Sequence, residues 1–186
     1  MGHYDKKGRL HCRTGPAVIC NGTKEWYIHG KLHRIGGPAV EFPNGDNVWY
    51  ANDVYHREGG PAVNVNGDKE WWVNGLRHRD NGPAVKRANG DKEWWINGNL
   101  HRDDGPAIEY NNHKEWLING MRHREGGPAV ERAGSEEWWF NDMIHREGGP
   151  AITYPNGTEY WYLYNNFISC FKPTPITRVK SARVAV

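Results

Sequence analysis

The tripeptide Gly-Pro-Ala recurs seven times in this chain, at intervals of 22 or 23 residues, and this spacing strongly limits what the chain can fold into. A proline every 22 residues, with turn residues between, leaves no room for capped helices. A period of this length is typical of folds in which each repeat stacks on its neighbours. The seven prolines are Pro16, Pro38, Pro61, Pro83, Pro106, Pro128 and Pro150.

Two other residues keep fixed positions around each proline. A His stands five residues before it, and a Trp follows it by 10 or 11 residues. The variation in length lies between Pro and Trp, in a segment that contains Asn-Gly in five of seven copies. Turns tolerate insertions, and Asn-Gly favours the positive φ of tight hairpins. More turn residues follow each Trp, as in Asn74-Gly75. Each repeat is therefore predicted to be strand, tight turn, strand and longer loop.

Alternation along the strands predicts their faces. A Val or Ile two residues after each Pro is expected in the core, together with the Trp of the second strand. The opposite face of the second strand carries an acid and then a second large residue. That second position forms what we call the aromatic row: Tyr27, Tyr50, Trp72, Trp95, Leu117, Trp139 and Tyr162. If the sheet stays open, the row is an exposed patch suited to a protein partner. If the sheet closes, the row is a second layer of core.

The ends of the chain differ from the middle, as the ends of repeat arrays do. We predict an N-terminal half-repeat over 1–10, seven hairpin repeats over 11–163, a degenerate cap over 164–173 and a basic tail over 174–186. The predicted fold is all-β, an elongated single-layer antiparallel array of about 14 strands. At about 4.8 Å per strand such an array is about 70 Å long.

Composition and repetition exclude several functions. The net charge is only +2, which argues against bulk nucleic-acid binding. An active site needs one unsymmetrical group of residues, whereas here the same residues recur. Cys12, Cys20 and His11 lack a fourth ligand for zinc. We therefore expect no catalytic residue, metal or cofactor. Three cysteines and no apolar leader predict a cytoplasmic location.

The His-Arg pairs before each Gly-Pro-Ala form a ladder that has two interpretations. An acid follows Arg in five copies, so Arg could pair with that acid and His with a loop carbonyl, which would fix the loop; we favour this structural interpretation. Alternatively the ladder binds phosphate or carboxylate groups. Its members are His33, Arg34, His56, Arg57, His78, Arg79, His101, Arg102, His123, Arg124, His145 and Arg146.

Two stretches resemble a known repeat family. Asn74-Gly75-Leu76-Arg77-His78 and Tyr154-Pro155-Asn156-Gly157-Thr158 are similar to the core and turn of MORN (membrane occupation and recognition nexus) repeats, over about residues 4–173. The Gly that follows His in that family is Arg here, as in the His-Arg-x-x-Gly-Pro-Ala arrays of bacteriophage and large-virus proteins. The resemblance implies a β-hairpin scaffold. For some members it also implies phospholipid binding.

The leading functional hypothesis is a non-enzymatic protein-binding scaffold that uses the aromatic row. By resemblance it would be a phage or viral protein that inhibits a host defence factor in the host cytoplasm. One alternative is anion, nucleotide or nucleic-acid binding by the His-Arg ladder. The other is a membrane-surface scaffold with the basic tail as its contact. Self-association is left open.

Overall fold

The computed structural model describes residues 2–173, and the predicted basic tail over 174–186 lies outside them. Residues 2–173 form strands and turns, and no helix that could cross a membrane occurs among them. Residues 2–10 lie against the first repeat, where Gly2 bridges to Val18 and Tyr4 to Leu10.

The main element is an antiparallel sheet of 15 strands, which confirms the predicted hairpin array. Each repeat contributes what we call its first hairpin, and the hairpins follow one another in chain order. The strands are Val18–Cys20, Thr23–Glu25, Val40–Glu41, Asn47–Val48, Val63–Val65, Asp68–Glu70, Val85–Lys86, Lys92–Glu93, Ile108–Tyr110, His113–Glu115, Val130–Arg132, Ser135–Glu137, Ile152–Thr153, Glu159–Leu163 and Asn166–Phe171.

The first six repeats also contain a second hairpin. The sequence predicted a longer loop after the second strand of each repeat, and this detail was wrong. Backbone hydrogen bonds join successive second hairpins, as when Gly75 N–H donates to the carbonyl of Tyr55. Their strands are Tyr27–Ile28, Lys31–Leu32, Tyr50–Ala51, Val54–Tyr55, Trp72–Val73, Leu76–Arg77, Trp95–Ile96, Asn99–Leu100, Leu117–Ile118, Met121–Arg122, Trp139–Phe140 and Met143–Ile144.

Backbone conformation explains why the second turn is a hairpin rather than a loop. Asn74 and Gly75 have φ of 50° and 79°, the positive pair that a type I′ turn requires. The same positive pair recurs at His29-Gly30, Asn52-Asp53, Asn97-Gly98, Asn119-Gly120, Asn141-Asp142 and Tyr164-Asn165. The turn residues after each Trp thus carry the same hairpin signal as those before it.

The extra residue of the longer repeats lies in the first turn, as predicted. In these repeats the turn is wider. Phe42 N–H donates to the carbonyl of Asp46 across it, and Arg87 and Asp91 are joined in the same way. In the shorter repeats only two residues separate the paired strands, as between Cys20 and Thr23. The flanking ladders are undisturbed.

In the first six repeats, the Trp is the residue at which the chain passes from the first hairpin to the second. Trp94 N–H donates to the carbonyl of Ala107 in the next repeat, and its own carbonyl accepts from His101 N–H. The first six repeats share this arrangement. One tryptophan backbone therefore joins two hairpins and two repeats.

The core is thin, and its most buried residue is the alanine of Gly-Pro-Ala. All seven of these alanines are fully buried. Of the Val and Ile residues two after proline, three are buried as expected, namely Val40, Val85 and Val130, and four are only half-buried, namely Val18, Val63, Ile108 and Ile152. The tryptophans expected beside them in the core are half-buried, except Trp26, which is buried. The alanines therefore lie where neighbouring repeats meet, and their small size allows that close approach.

One turn departs from the sequence pattern and carries strain. By its residue types the sequence places this turn at Gly134-Ser135, whereas the two turn residues between Arg132 and Ser135 are Ala133 and Gly134. Ala133 has φ of 46°, a region that L-residues other than Asn, Asp and Gly seldom occupy.

We expect Ala133→Gly to stabilise the protein by about 1 kcal/mol, because Gly has no Cβ penalty at positive φ. Ala88, an exposed turn residue outside this φ region, is the matched control. Ala88→Gly should leave stability unchanged or lower it. Urea unfolding followed by tryptophan fluorescence measures both. Equal effects of the two substitutions would contradict the strain at Ala133.

Candidate binding surface

The arginine of each His-Arg pair stacks on the tryptophan eight residues before it. In each case the guanidinium carbon lies 3.7–4.1 Å from the ring centroid. A cation this close to an indole face is attracted by the ring quadrupole and shields the ring from water. The pairs are Arg34–Trp26, Arg57–Trp49, Arg79–Trp71, Arg102–Trp94, Arg124–Trp116 and Arg146–Trp138.

The same guanidinium closes the loop that follows it. Arg124 Nη1 donates to the carbonyl of Pro128 at 2.9 Å, and the other five arginines bond their own prolines at 3.0–3.2 Å. The Gly before Pro leaves room for this contact. A Cβ at Gly127 would lie 2.8 Å from the guanidinium carbon of Arg124.

The first loop lacks the arginine, and there the space beside the glycine is empty. Cys12 occupies the arginine position there, and a Cβ at Gly15 would meet nothing within 4 Å. The segment from His-Arg to Pro is hereafter called the loop. Its shape follows from one stacked arginine, one proline carbonyl and one glycine.

Three of the six arginines pair with an acid, and it is not the acid directly after the arginine that the sequence predicted. Arg34, Arg102 and Arg124 pair with a Glu seven residues later, at 2.6–3.0 Å, and this Glu lies on the adjacent strand. In the other three repeats that position is Asn64, Lys86 or Thr153. Among residues 2–173, Arg57, Arg79 and Arg146 have no carboxylate partner. Burial lowers the pKa of Arg79 below its ordinary value.

The histidines join successive repeats. His101 Nδ1 accepts a hydrogen bond from the backbone N–H of Asn119 at 3.1 Å, and five other histidines make the equivalent bond at 3.1–3.4 Å. The sequence interpretation had the histidine bonded to a loop carbonyl, whereas here the ring nitrogen is the acceptor. His123 Nδ1 is buried and unpartnered within the described part of the chain. Each bonded histidine therefore fixes the turn of the next repeat.

The aromatic row is half-buried, which lies between the two arrangements considered from the sequence, and its Leu117 is buried. Three tryptophans of the row donate their indole N–H to a Glu two residues earlier, at 2.7–3.0 Å. The Arg77 guanidinium carbon lies 5.0 and 5.2 Å from the ring centroids of Trp72 and Trp95. The row is thus packed among polar partners of its own face.

The buried carboxylates of that face are also satisfied. Glu70 accepts from Arg77, Arg87 and Trp72, and Glu115 accepts from Arg122 and His113. Both acids are therefore neutralised by cationic neighbours on the same face. Neither the acids nor the facing arginines could have been paired from sequence alone, since the pairs join residues on different strands.

Clefts open between successive loops on the face that carries the stacked tryptophans. Three of them are contiguous, with volumes of about 400, 690 and 480 Å³, and each shares a loop with the next. They form what we call the cleft row. Their floors are Trp71 with Val73, Trp94 with Ile96, and Trp116 with Ile118.

The loops that bound the cleft row carry acids on their outer side. The side chains of Asp80 and Asp103 are 78% and 85% exposed, whereas that of Arg102 is only 21% exposed beneath them. Arg102 also bonds Asp104 at 2.8 Å. We call these carboxylates the acidic rim: Glu58, Asp80, Asp103, Asp104 and Glu125.

A fourth cleft, of about 530 Å³, lies apart between the first two loops and has no acidic rim. Its walls include Arg13 and the exposed Ile35. The acids after His-Arg and the aliphatic residue two after Trp were both visible in the sequence. The sequence did not show that the loop folds over the tryptophan, and for this reason the cleft row was not predicted.

A candidate metal centre is absent among residues 2–173, where no group of three or more His, Cys, Asp or Glu side chains is placed to hold an ion.

We expect Gly127→Ala to lower the free energy of unfolding by about 1–2 kcal/mol, because its Cβ displaces Arg124 from Trp116 and from the Pro128 carbonyl. The same change at Gly15, where no arginine stacks, should stay within about 0.5 kcal/mol of the parent. Urea unfolding measures both. Similar losses at the two glycines would mean that the arginine does not require the space.

Comparison with models of known protein families and with curated protein sequences gives no significant match.

Proposed function

We propose that this protein is a non-enzymatic binding module that holds an extended, basic segment of a partner protein along the cleft row. The observation that carries the proposal is the alignment of three contiguous clefts beneath one acidic rim. A chain of clefts in one direction suits an extended polypeptide rather than a compact small molecule.

The chemistry of the clefts supports this choice of partner. Their floors offer an aliphatic side chain, Val73, Ile96 or Ile118, beside a tryptophan that its arginine already covers on one face. An apolar group of the partner gains by covering the aliphatic part. The outermost charges are carboxylates. The cationic side chains lie below, stacked on tryptophan and bonded to proline carbonyls. A partner with Lys or Arg side chains therefore meets opposite charge first, which also speeds its association.

The cleft row is favoured over the aromatic row because its outer carboxylates are highly exposed, although Asp80 and Asp103 each lie beside the histidine two residues before. In the aromatic row, the indole N–H groups of Trp72, Trp95 and Trp139 already bond glutamates. The aromatic row stays a prediction as a partner site, and Trp72→Ser, Trp95→Ser and Trp139→Ser variants would test it.

The alternatives considered from the sequence have less support. An anion bound by the His-Arg ladder would have to compete with the proline carbonyl for each guanidinium. A viral inhibitor of a host defence factor rests on the resemblance. A membrane-surface scaffold rests on the resemblance and on the tail over 174–186. Both remain hypotheses.

A fluorescent 15-residue oligolysine peptide tests the proposal by anisotropy titration at low salt. We expect binding that weakens as ionic strength rises. The double variant Glu58→Gln/Glu125→Gln should bind about tenfold more weakly, since each lost charge contact is worth about 0.7 kcal/mol. Both glutamates are exposed, and neither has an ion-pair partner among residues 2–173.

Glu136→Gln/Glu159→Gln is the matched control, because it removes the same charge from glutamates that do not line the cleft row. It should leave the affinity within about twofold of the parent. Absence of binding, or equal weakening in both variants, would contradict the proposal.

A further inference from the structure

We infer that the partner segment runs along the cleft row as a polyproline II helix with a Lys or Arg at every third position. This inference rests on the proposed function and names the conformation and residue pattern of the ligand. It follows from the distance between successive loops of the acidic rim.

The spacing of the loops is set by the sheet. Each repeat adds one first hairpin, that is two neighbouring strands, to the 15-stranded sheet. Neighbouring strands are about 4.8 Å apart, so equivalent loops are about 9.6 Å apart. A ligand that places one cation at each loop must therefore repeat its side chains at about this distance.

Polyproline II has this repeat. It has three residues per turn and rises about 3.1 Å per residue, so every third side chain returns to the same side after about 9.3 Å. Over the four loops of the acidic rim the accumulated mismatch is about 0.9 Å. A flexible Lys or Arg side chain absorbs that difference.

Other regular conformations fit less well. In a β-strand, side chains on one side recur after about 6.7 or 13.4 Å, and neither distance matches the loops. In an α-helix, seven residues return to one side after about 10.5 Å, and the mismatch reaches about 2.7 Å over the same four loops. The three-residue period is therefore the one that the loops select.

The clefts between the loops accept the two ligand residues that lie between successive Lys or Arg residues. Each floor pairs an aliphatic side chain with a tryptophan that its arginine covers on one face, as in the cleft of Ile96 and Trp94, which Pro83 also lines. Aromatic-lined grooves suit the two apolar positions of each polyproline turn. Proline at those positions also lowers the entropy lost when the segment binds. The ligand pattern is thus basic-x-x, with x apolar and often proline.

Two 15-residue peptides of the same composition test the pattern. One is (Lys-Pro-Pro)5. The other has the order KPKPPPKPKPPPKPP, in which lysines are spaced alternately by two and four residues. We expect the regular peptide to bind at least tenfold more tightly to the full chain in an anisotropy titration. Glu58→Gln/Glu125→Gln should reduce this preference, and Glu136→Gln/Glu159→Gln should leave it unchanged.

The outcomes separate the two proposals. Equal affinities for the two peptides, both weakened by the loss of rim glutamates, would overturn the three-residue pattern and leave the basic-segment module standing. No binding of either peptide, or of oligolysine, would overturn both.

Discussion

The stack of an arginine on a tryptophan eight residues before it is the interaction on which the other features of each repeat depend. The tryptophan backbone passes the chain from one hairpin to the next, and its ring is covered by the guanidinium. The guanidinium in turn bonds the proline carbonyl, and the glycine before proline leaves it space. Trp, Arg, Gly and Pro therefore keep fixed spacings because each contacts another wherever the arginine is present, which is in six of the loops.

This dependence explains how a chain of low apolar content folds. Only 37% of its residues are hydrophobic, and its most buried side chains are small alanines and a few valines. A thin core of this kind needs contacts that repeat from unit to unit. Three contacts meet this need: the hydrogen bond from a turn N–H to histidine, the stack of arginine on tryptophan, and the backbone hydrogen bond from tryptophan to alanine. Stability therefore accumulates between nearest neighbours, as it does in other repeat arrays.

The sequence predicted the array because its period and turn residues are local signals. Asn66-Gly67 specifies a turn through its own two residues, and the variable segment around Asn44-Gly45 does the same. The second hairpin was missed although Asn74-Gly75 carries the same signal, because a two-residue strand shows no alternation. The partner of each arginine was also missed. Glu109 is seven residues from Arg102 and adjoins it only once the loop has folded over Trp94.

The surface proposed for binding follows from the same geometry. The loops turn their arginines inward, so their carboxylates face outward at the spacing of the sheet, and clefts with apolar floors open between them. If the loops folded otherwise, the acidic rim and the cleft row would both be lost.

Nuclear magnetic resonance measures the stack directly, since protons above an indole face shift upfield. The account predicts upfield-shifted side-chain signals for Arg34, Arg57, Arg79, Arg102, Arg124 and Arg146 in the folded protein. Arg13, which has no tryptophan beneath it in the described residues and is exposed, serves as the unshifted reference. Side-chain signals of these six arginines at the position of Arg13 would contradict the account.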